Sequence, residues 1–371
     1  MSLIYYLIFF LIVIGAIKEY FYLEKGSRLY YYFIVTIMIF TAGLGFNLSP
    51  DWLGYFTAYK EVNFIDWDGL SDYAKYYGME AGYIYLNKVY NILNFDFGML
   101  SLSLVIVSVS LKVSTFYKYS PLPFLALFMY AMPNFMFEEH VHIRQGLATG
   151  IALYSTRYII DKKMIKFILC IIIAYQFHES CIIFVLAYWI ARIKINIELM
   201  FWIVTFSIVA NYTGMNSIIE SIMSVIPFGQ DKFESYQSQL YAESGLAVGD
   251  IVKIITVFSI IIYNKYAEHD ELYCMFRNLL LFGIILYFFL GKGIFGIRLP
   301  GYYLSFIGLA VSRMIYNIKG DDLKQSFIFY SFIFYTSLLI FWFQYKQGHK
   351  SNFGNYKTFF VTESPYGLWK N

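Results

Sequence analysis

Charge is what this chain has least of. Only 14% of its 371 residues are charged, where soluble domains carry roughly 25%. Proline is scarce, with seven residues, and cysteine scarcer, with three. The cysteines, Cys170, Cys181 and Cys274, lie within or beside apolar segments with no metal-ligand spacing, so they read as packing residues rather than as disulfides or a metal site. No Walker motif, nucleophile elbow or HExxH pattern occurs, and a net charge of +3 says little until it is divided by side; no nucleic-acid partner is expected. What is abundant is apolar: 59% of residues, in runs of about 15 to 22. Such runs cross a hydrocarbon core as helices, whereas a barrel would show short alternating segments. The fold class expected is all-α, a polytopic helical integral membrane protein. The run from Leu3 to Ile17 has neither a basic n-region nor a small-residue cleavage site, so it reads as a retained helix.

Hydropathy predicts about twelve transmembrane helices, near 2–17, 29–46, 98–116, 121–137, 142–160, 164–177, 179–192, 198–213, 250–266, 274–291, 297–316 and 325–344. The sixth and seventh are short and interrupted at Phe177-His178-Glu179-Ser180. A broken hairpin is the reading there, with one long tilted helix as the alternative. Placing the connections 18–28, 112–120, 157–166, 192–198, 265–277 and 313–324 on one side collects 16 basic and 9 acidic residues, leaving 12 and 16 on the other. The positive-inside rule makes the first side cytoplasmic and both termini extracytoplasmic. Two larger loops, 47–97 and 214–249, then face outward. The first is too hydrophobic to be disordered and suits an interfacial helix; the second opens on an amphipathic stretch, Ile218, Ile219, Ile222, Met223 and Ile226. No internal repeat is apparent, and residues 1–371 read as a single transmembrane domain.

The most informative segment is Glu138-Glu-His-Val-His-Ile-Arg144, which sets two carboxylates, two imidazoles and a guanidinium between two apolar runs. Ionisable groups at membrane depth are costly unless paired or facing a wet cavity, so they mark a site. An arginine in such company suits an oxygen-rich anion, phosphate above all. In the orientation above, Arg144, His178 and Arg298 reach the outer level, as does Asp51, with Tyr55 and Tyr59 one and two helical turns on. Each residue also has a plainer reading. Arg144 and Arg298 fit snorkelling side chains, His178 a capped or core histidine, Glu138 and Glu139 helix-capping acids, and Asp51 a turn residue after Ser-Pro. The 37 tyrosines and 38 phenylalanines exceed the needs of interfacial belts. Aromatics lining a carbohydrate-accessible cavity are one reading of that excess, and AT-rich coding bias, which would give the same composition, is the alternative.

Three other patterns carry little. Gly291-Lys-Gly-Ile-Phe-Gly296 spells GxGxxG but follows a membrane helix rather than a strand. Asp66-Trp-Asp68 spells the DxD of metal-dependent sugar transferases in an already acidic loop, and His140-Val-His142 matches no metal template. The expectation is no metal and no cofactor.

A set of motifs in fixed order resembles the EpsG-like and Wzy-type polysaccharide polymerases. HIRQGLATGIALYSTRYI, from His142, is similar to that family's IRQxxA helix and includes Arg144 and Gln145. AGLGFNLSPDWLGYFTAY resembles its early glycine-rich segment, ending in Asp51 and Tyr55; MEAGYIYLNKVYNIL resembles an E-x-G-Y segment at Glu80, Gly82 and Tyr83. QFHESCIIF resembles an FH-x-S turn at Phe177, His178 and Ser180; IRLPGYY an R-x-x-x-Y at Arg298 and Tyr302; and Pro365-Tyr366 a terminal PY. The chain departs at Gly45-Phe46, where the family often has an arginine, and at Val141-His142, where it has an asparagine.

The resemblance implies a membrane glycosyltransferase that polymerises undecaprenyl-diphosphate-linked oligosaccharide repeats at the outer face of the bacterial inner membrane. Its partners would be that lipid-linked glycan, membrane lipid, a flippase and a chain-length regulator. Arg144 and Arg298 would bind the diphosphate. His178, Glu138, Glu139 and Asp51 are the candidates for general base, and Gln145, His142, Tyr55, Glu80, Tyr83 and Tyr302 would line the substrate. Two competing readings remain at this stage, a transferase of single sugars from a lipid phosphate and a flippase for the same lipid-linked glycan.

Overall fold

The computed structural model describes residues 2–213, 247–291, 294–318, 322–347 and 356–360. Among these the secondary structure is helical with no strand, and the single β contact is an isolated bridge between Gly45 and Thr358. Two compact units divide the chain, Met1–Ile182 with Phe329–Asn371, and Ile183–Ile328.

The first unit contains α1 (Leu3–Tyr22), α2 (Arg28–Gly43), α3 (Pro50–Glu61), α4 (Leu70–Tyr77), α5 (Ala81–Ile92), α6 (Phe97–Tyr119), α7 (Pro123–Tyr130), the single turn α8 (Met136–Glu138), α9 (Ile143–Ile160) and α10 (Met164–Tyr175). The second contains α11 (Ala187–Ile190), α12 (Ile197–Tyr212), α13 (Val248–Ala267), α14 (Glu271–Leu290), α15 (Ile294–Leu304) and α16 (Ile307–Asn317). A last helix, α17 (Asp322–Gln347), contributes to both units.

Among the described residues four helical segments are long and apolar enough to cross a membrane: Leu3–Tyr22, Phe97–Tyr119, Glu271–Leu290 and Leu323–Trp342. Shorter apolar helices accompany them at Arg28–Gly43, Met164–Tyr175, Glu179–Ile190 and Ile197–Tyr212. The protein is therefore a helical, membrane-embedded one. Each of the twelve expected segments contains helix among the described residues.

Two differences from those segments have a local cause. The segment expected as 121–137 leaves the helical path after Tyr130, and Met132 is extended at φ −143°, ψ 126°. Proline disfavours helical backbone at the residue before it, and Pro133 follows Met132. The segment expected as 297–316 is two helices, because the backbone tightens at Ser305-Phe306, where Phe306 N–H bonds to the Tyr303 carbonyl three residues back.

The chain turns at the interruption that follows the sixth expected segment. At 1.5 Å per residue α10 is only about 18 Å long, short of the ~30 Å hydrocarbon core. Beyond it the chain doubles back, so that Cys181 Sγ lies 3.6 Å from the carbonyl oxygen of Ile171. One continuous helix would hold those residues about 15 Å apart.

The loop 47–97 is helical, not a single interfacial helix but three, with short 3-10 turns at Val62–Phe64 and Trp67–Gly69. Pro50 sits at the start of α3, where its missing N–H costs nothing, and Gly78 closes α4 in the left-handed conformation at φ 65°. Asp96 caps α6 by accepting from Met99 N–H at 2.8 Å. Trp52, Tyr55, Tyr59, Tyr83 and Ile84 form one buried cluster with Phe97, Leu100 and Leu104 of α6 and Ile143 and Leu147 of α9. Burial of side chains this size stabilises by about 1.5–3 kcal/mol each, and it fixes the loop against the first turns of α6 and α9. The stretch beginning at Ile218 lies outside the described residues.

Within the first unit α6 and α9 pack at close range. A Cβ on Gly150 would stand 2.9 Å from the Ser108 carbonyl oxygen of α6, and α9 also meets α8 closely, where one on Gly146 would stand 2.4 Å from the Glu138 carbonyl oxygen. Small residues at such crossings let backbones meet where lipid gives no hydrophobic drive for helices to associate.

Candidate functional site

Arg144 lies in the first turn of α9, at the positive end of the helix dipole, where a cation is unfavourable unless a carboxylate answers it. Glu80, the residue before α5, answers it: Arg144 Nη1 donates to Glu80 Oε2. The other oxygen of the same carboxylate, Oε1, accepts from the Glu179 backbone N–H at 3.2 Å. One side chain thus joins α9, α5 and the turn between α10 and the residues after it.

Two tyrosine rings pack against the guanidinium. Its carbon is 5.5 Å from the Tyr55 ring centroid and 5.8 Å from that of Tyr83, and the two rings meet edge to face at 5.8 Å. Both tyrosines are buried, while the Arg144 and Glu80 side chains keep 15% and 14% of their surface exposed. Arg144 Nε is buried without a hydrogen-bond partner among the described residues.

His178 is buried in the turn that Glu80 touches. Its Nδ1 is 2.7 Å from Ser180 Oγ and receives the Ser180 backbone N–H at 3.4 Å. An N–H can only donate, so Nδ1 is the acceptor and the proton sits on Nε2. The FH-x-S spacing places the serine where its backbone and hydroxyl both reach that nitrogen.

Asp51 and His142 form a second, more open pair. Asp51 Oδ2 and His142 Nδ1 are 3.1 Å apart, with side chains 44% and 33% exposed. Two residues before Asp51, Ser49 Oγ donates to the His140 carbonyl at 3.4 Å. The start of α3 is therefore tied twice to the segment that leads into α9. Gln145, next to Arg144, is buried in α9.

Glu138 and Glu139 lie in a different environment. Both bind Lys112, the sixteenth of the 23 residues of α6: Glu138 through Oε2 and Glu139 through Oε1 at 2.5 Å. Glu139 Oε1 also accepts from Ser108 Oγ at 3.0 Å and Tyr130 Oη at 2.8 Å. The Lys112 side chain is 1% exposed. The sequence reading counted Lys112 with the connection 112–120, whereas it lies inside a spanning helix. A lysine between Leu111 and Val113 in an apolar run was the available signal.

In the second unit Arg298 and Tyr302, four residues apart, share a face of α15; Tyr302 is buried and Arg298 half-buried. Asp66 and Asp68 are exposed, and between them Trp67 stacks on Tyr85 with centroids 6.1 Å apart. No group of three or more His, Cys, Asp or Glu capable of holding a metal occurs among the described residues. Pro365 and Tyr366 lie outside those residues.

Taken with the fold, the arrangement defines a helical membrane protein whose polar site gathers separate sequence motifs around one arginine. The match of residues 28–358 to the EpsG family places the protein: it belongs to that family, a Wzy-like polymerase family. No curated protein and no solved structure matches the chain.

Proposed function

We propose that this protein is a membrane glycosyltransferase that polymerises oligosaccharide repeats carried on undecaprenyl diphosphate, acting without metal at the outer face of the bacterial inner membrane. Membership of a Wzy-like polymerase family supports the reaction class. The observation that carries the reading is the Arg144 assembly, in which a guanidinium packs against Tyr55 and Tyr83 and is joined through Glu80 to the His178 turn.

In the step proposed, a hydroxyl of the acceptor sugar attacks the anomeric carbon of the growing glycan. Its proton passes to a base, the anomeric C–O bond breaks, and the electron pair leaves with the lipid diphosphate, inverting the configuration. Negative charge builds on the leaving group, where Arg144 supplies fixed positive charge in a low-dielectric setting. Arg298 is proposed as a second cation for the diphosphate on the strength of its motif. His178, with its proton on Nε2, would donate to and orient the substrate. Asp51, the most open of the candidate carboxylates and oriented by His142, would be the base. Glu138 and Glu139, bound to Lys112, would brace the N-terminal end of α9.

The test uses the full-length protein purified in detergent, with lipid-linked repeats and EDTA present, and products resolved on a gel. A ladder spaced by one repeat supports the proposal. Activity that appears only on adding divalent metal or a lipid-phosphate sugar assigns a single-sugar transferase. No product under any condition, with active controls, overturns the enzymatic reading in favour of a transporter.

A further inference from the structure

The Glu80 carboxylate bridges a guanidinium N–H and a main-chain N–H, from Arg144 and Glu179, which come from two separate elements. Two converging donors of this kind, one charged and one from the backbone, are what phosphate-binding sites offer to a pair of phosphate oxygens. The two oxygens of a carboxylate and two oxygens of a phosphate have nearly the same bite. Tyr55 and Tyr83 pack side by side against the guanidinium, and an anion binds it through its N–H edges. One of those edges is taken by Glu80. Another, at Nε, has no hydrogen-bond partner among the described residues although it is buried.

We infer that Glu80 is an internal stand-in for the substrate anion: it occupies the oxyanion position between Arg144 and the Glu179 N–H, and a phosphate group displaces it on binding. The inference rests on the reading of Arg144 as a diphosphate ligand and adds a device to it. Displacement exchanges one anion for another at Arg144, so the buried guanidinium is never left without a negative partner, which would be costly. It also releases the bond from Glu80 to the turn that carries His178, so anion binding at Arg144 is transmitted to the histidine. Glu80 is in this scheme a positioning residue that competes with the substrate.

A competing carboxylate predicts a gain of function, which a merely structural residue would not give. Binding of farnesyl diphosphate and of inorganic diphosphate is measured calorimetrically on the full-length protein in detergent, for wild type, Glu80→Gln, Glu80→Asp and Arg144→Gln. Removing the charge at position 80 is expected to tighten diphosphate binding by about tenfold, the scale of one charge-assisted hydrogen bond. Glu80→Asp, too short to reach both donors, is expected to tighten it as well and serves if the glutamine variant folds poorly. Arg144→Gln is expected to abolish binding in either background. The same gain for inorganic diphosphate supports the inference for any phosphate anion, and a gain confined to farnesyl diphosphate supports it for a lipid headgroup. If both Glu80 variants bind as wild type does, or more weakly, while Arg144→Gln still abolishes binding, the stand-in role is overturned and the diphosphate reading of Arg144 stands. If Arg144→Gln leaves binding unchanged, both fall.

Discussion

Gly82 and Gln176 meet backbone to backbone: a Cβ on Gly82 would lie 2.6 Å from the Gln176 carbonyl oxygen and 2.6 Å from its Cβ. That approach seats the first turn of α5 against the end of α10, and it is what lets Glu80 reach the Glu179 N–H. Any side chain at position 82 must push the two apart. Gly82→Ala is expected to cost about 1–3 kcal/mol of stability and to lower polymer yield. Gly82→Val should do more on both counts, measured by thermal unfolding in detergent beside the gel assay. An alanine variant as stable and active as wild type would mean that the contact is not needed.

Lys112 is the only cation bonded to Glu138 and Glu139 among the described residues, and all three side chains are buried. Lys112→Met should destabilise by about 3–5 kcal/mol, since it strands carboxylates away from water. The triple variant Lys112→Met, Glu138→Gln, Glu139→Gln should recover much of that loss, because no unpaired charge remains. Equal losses in the single and triple variants would show that packing, rather than charge pairing, dominates there.

Arg144→Gln is expected to reduce polymer formation by roughly 10²–10³, as loss of one preorganised donor to a developing oxyanion does elsewhere. Arg144→Lys keeps the charge but loses the planar group packed against two rings, and should recover only part of the activity. Full activity in the lysine variant would reduce the role of Arg144 to a point charge.

Acid sensitivity should trace in part to Asp270, which lies outside the spanning segments at the N-cap of α14. Burial pushes its carboxyl up, but bonds from Arg313, the Tyr273 N–H and Asn317 outweigh that and hold it below its ordinary value. A carboxylate lowered on folding contributes stability above its unfolded value, and that contribution is lost as the pH falls toward the folded one. Melting temperature measured from pH 7 down to pH 3 should therefore fall more steeply for wild type than for Asp270→Asn. Parallel curves would count against this assignment.

Much of the site was legible as motifs and little of it as partnerships. Arg144, His178 and Asp51 stood out, because ionisable residues are rare in an apolar chain, and Glu80 stood out through the E-x-G-Y resemblance. The bond from Arg144 to Glu80 spans 64 positions, and the one from Glu80 to Glu179 spans 99. No local pattern encodes such separations. Glu138 and Glu139 looked equivalent to Asp51 as carboxylates beside an arginine, yet they turn toward Lys112 of α6 and it turns toward His142.

The sequence by itself determined the solvent in which this protein folds. Long apolar runs with so little charge have no stable arrangement except as helices in lipid, where each backbone group is satisfied within its own segment. It determined the helix starts as well, through Pro50, Asp96 and Asp270, because capping is a matter of a few adjacent residues. Only the tertiary structure decided which charges neutralise one another, that the 47–97 segment is a packed helical cap, and that two expected spans are broken. Hydropathy averages over a window and registers how apolar a stretch is. Charge pairing depends on distances of a few ångströms between helices, and those exist only once the chain has closed on itself.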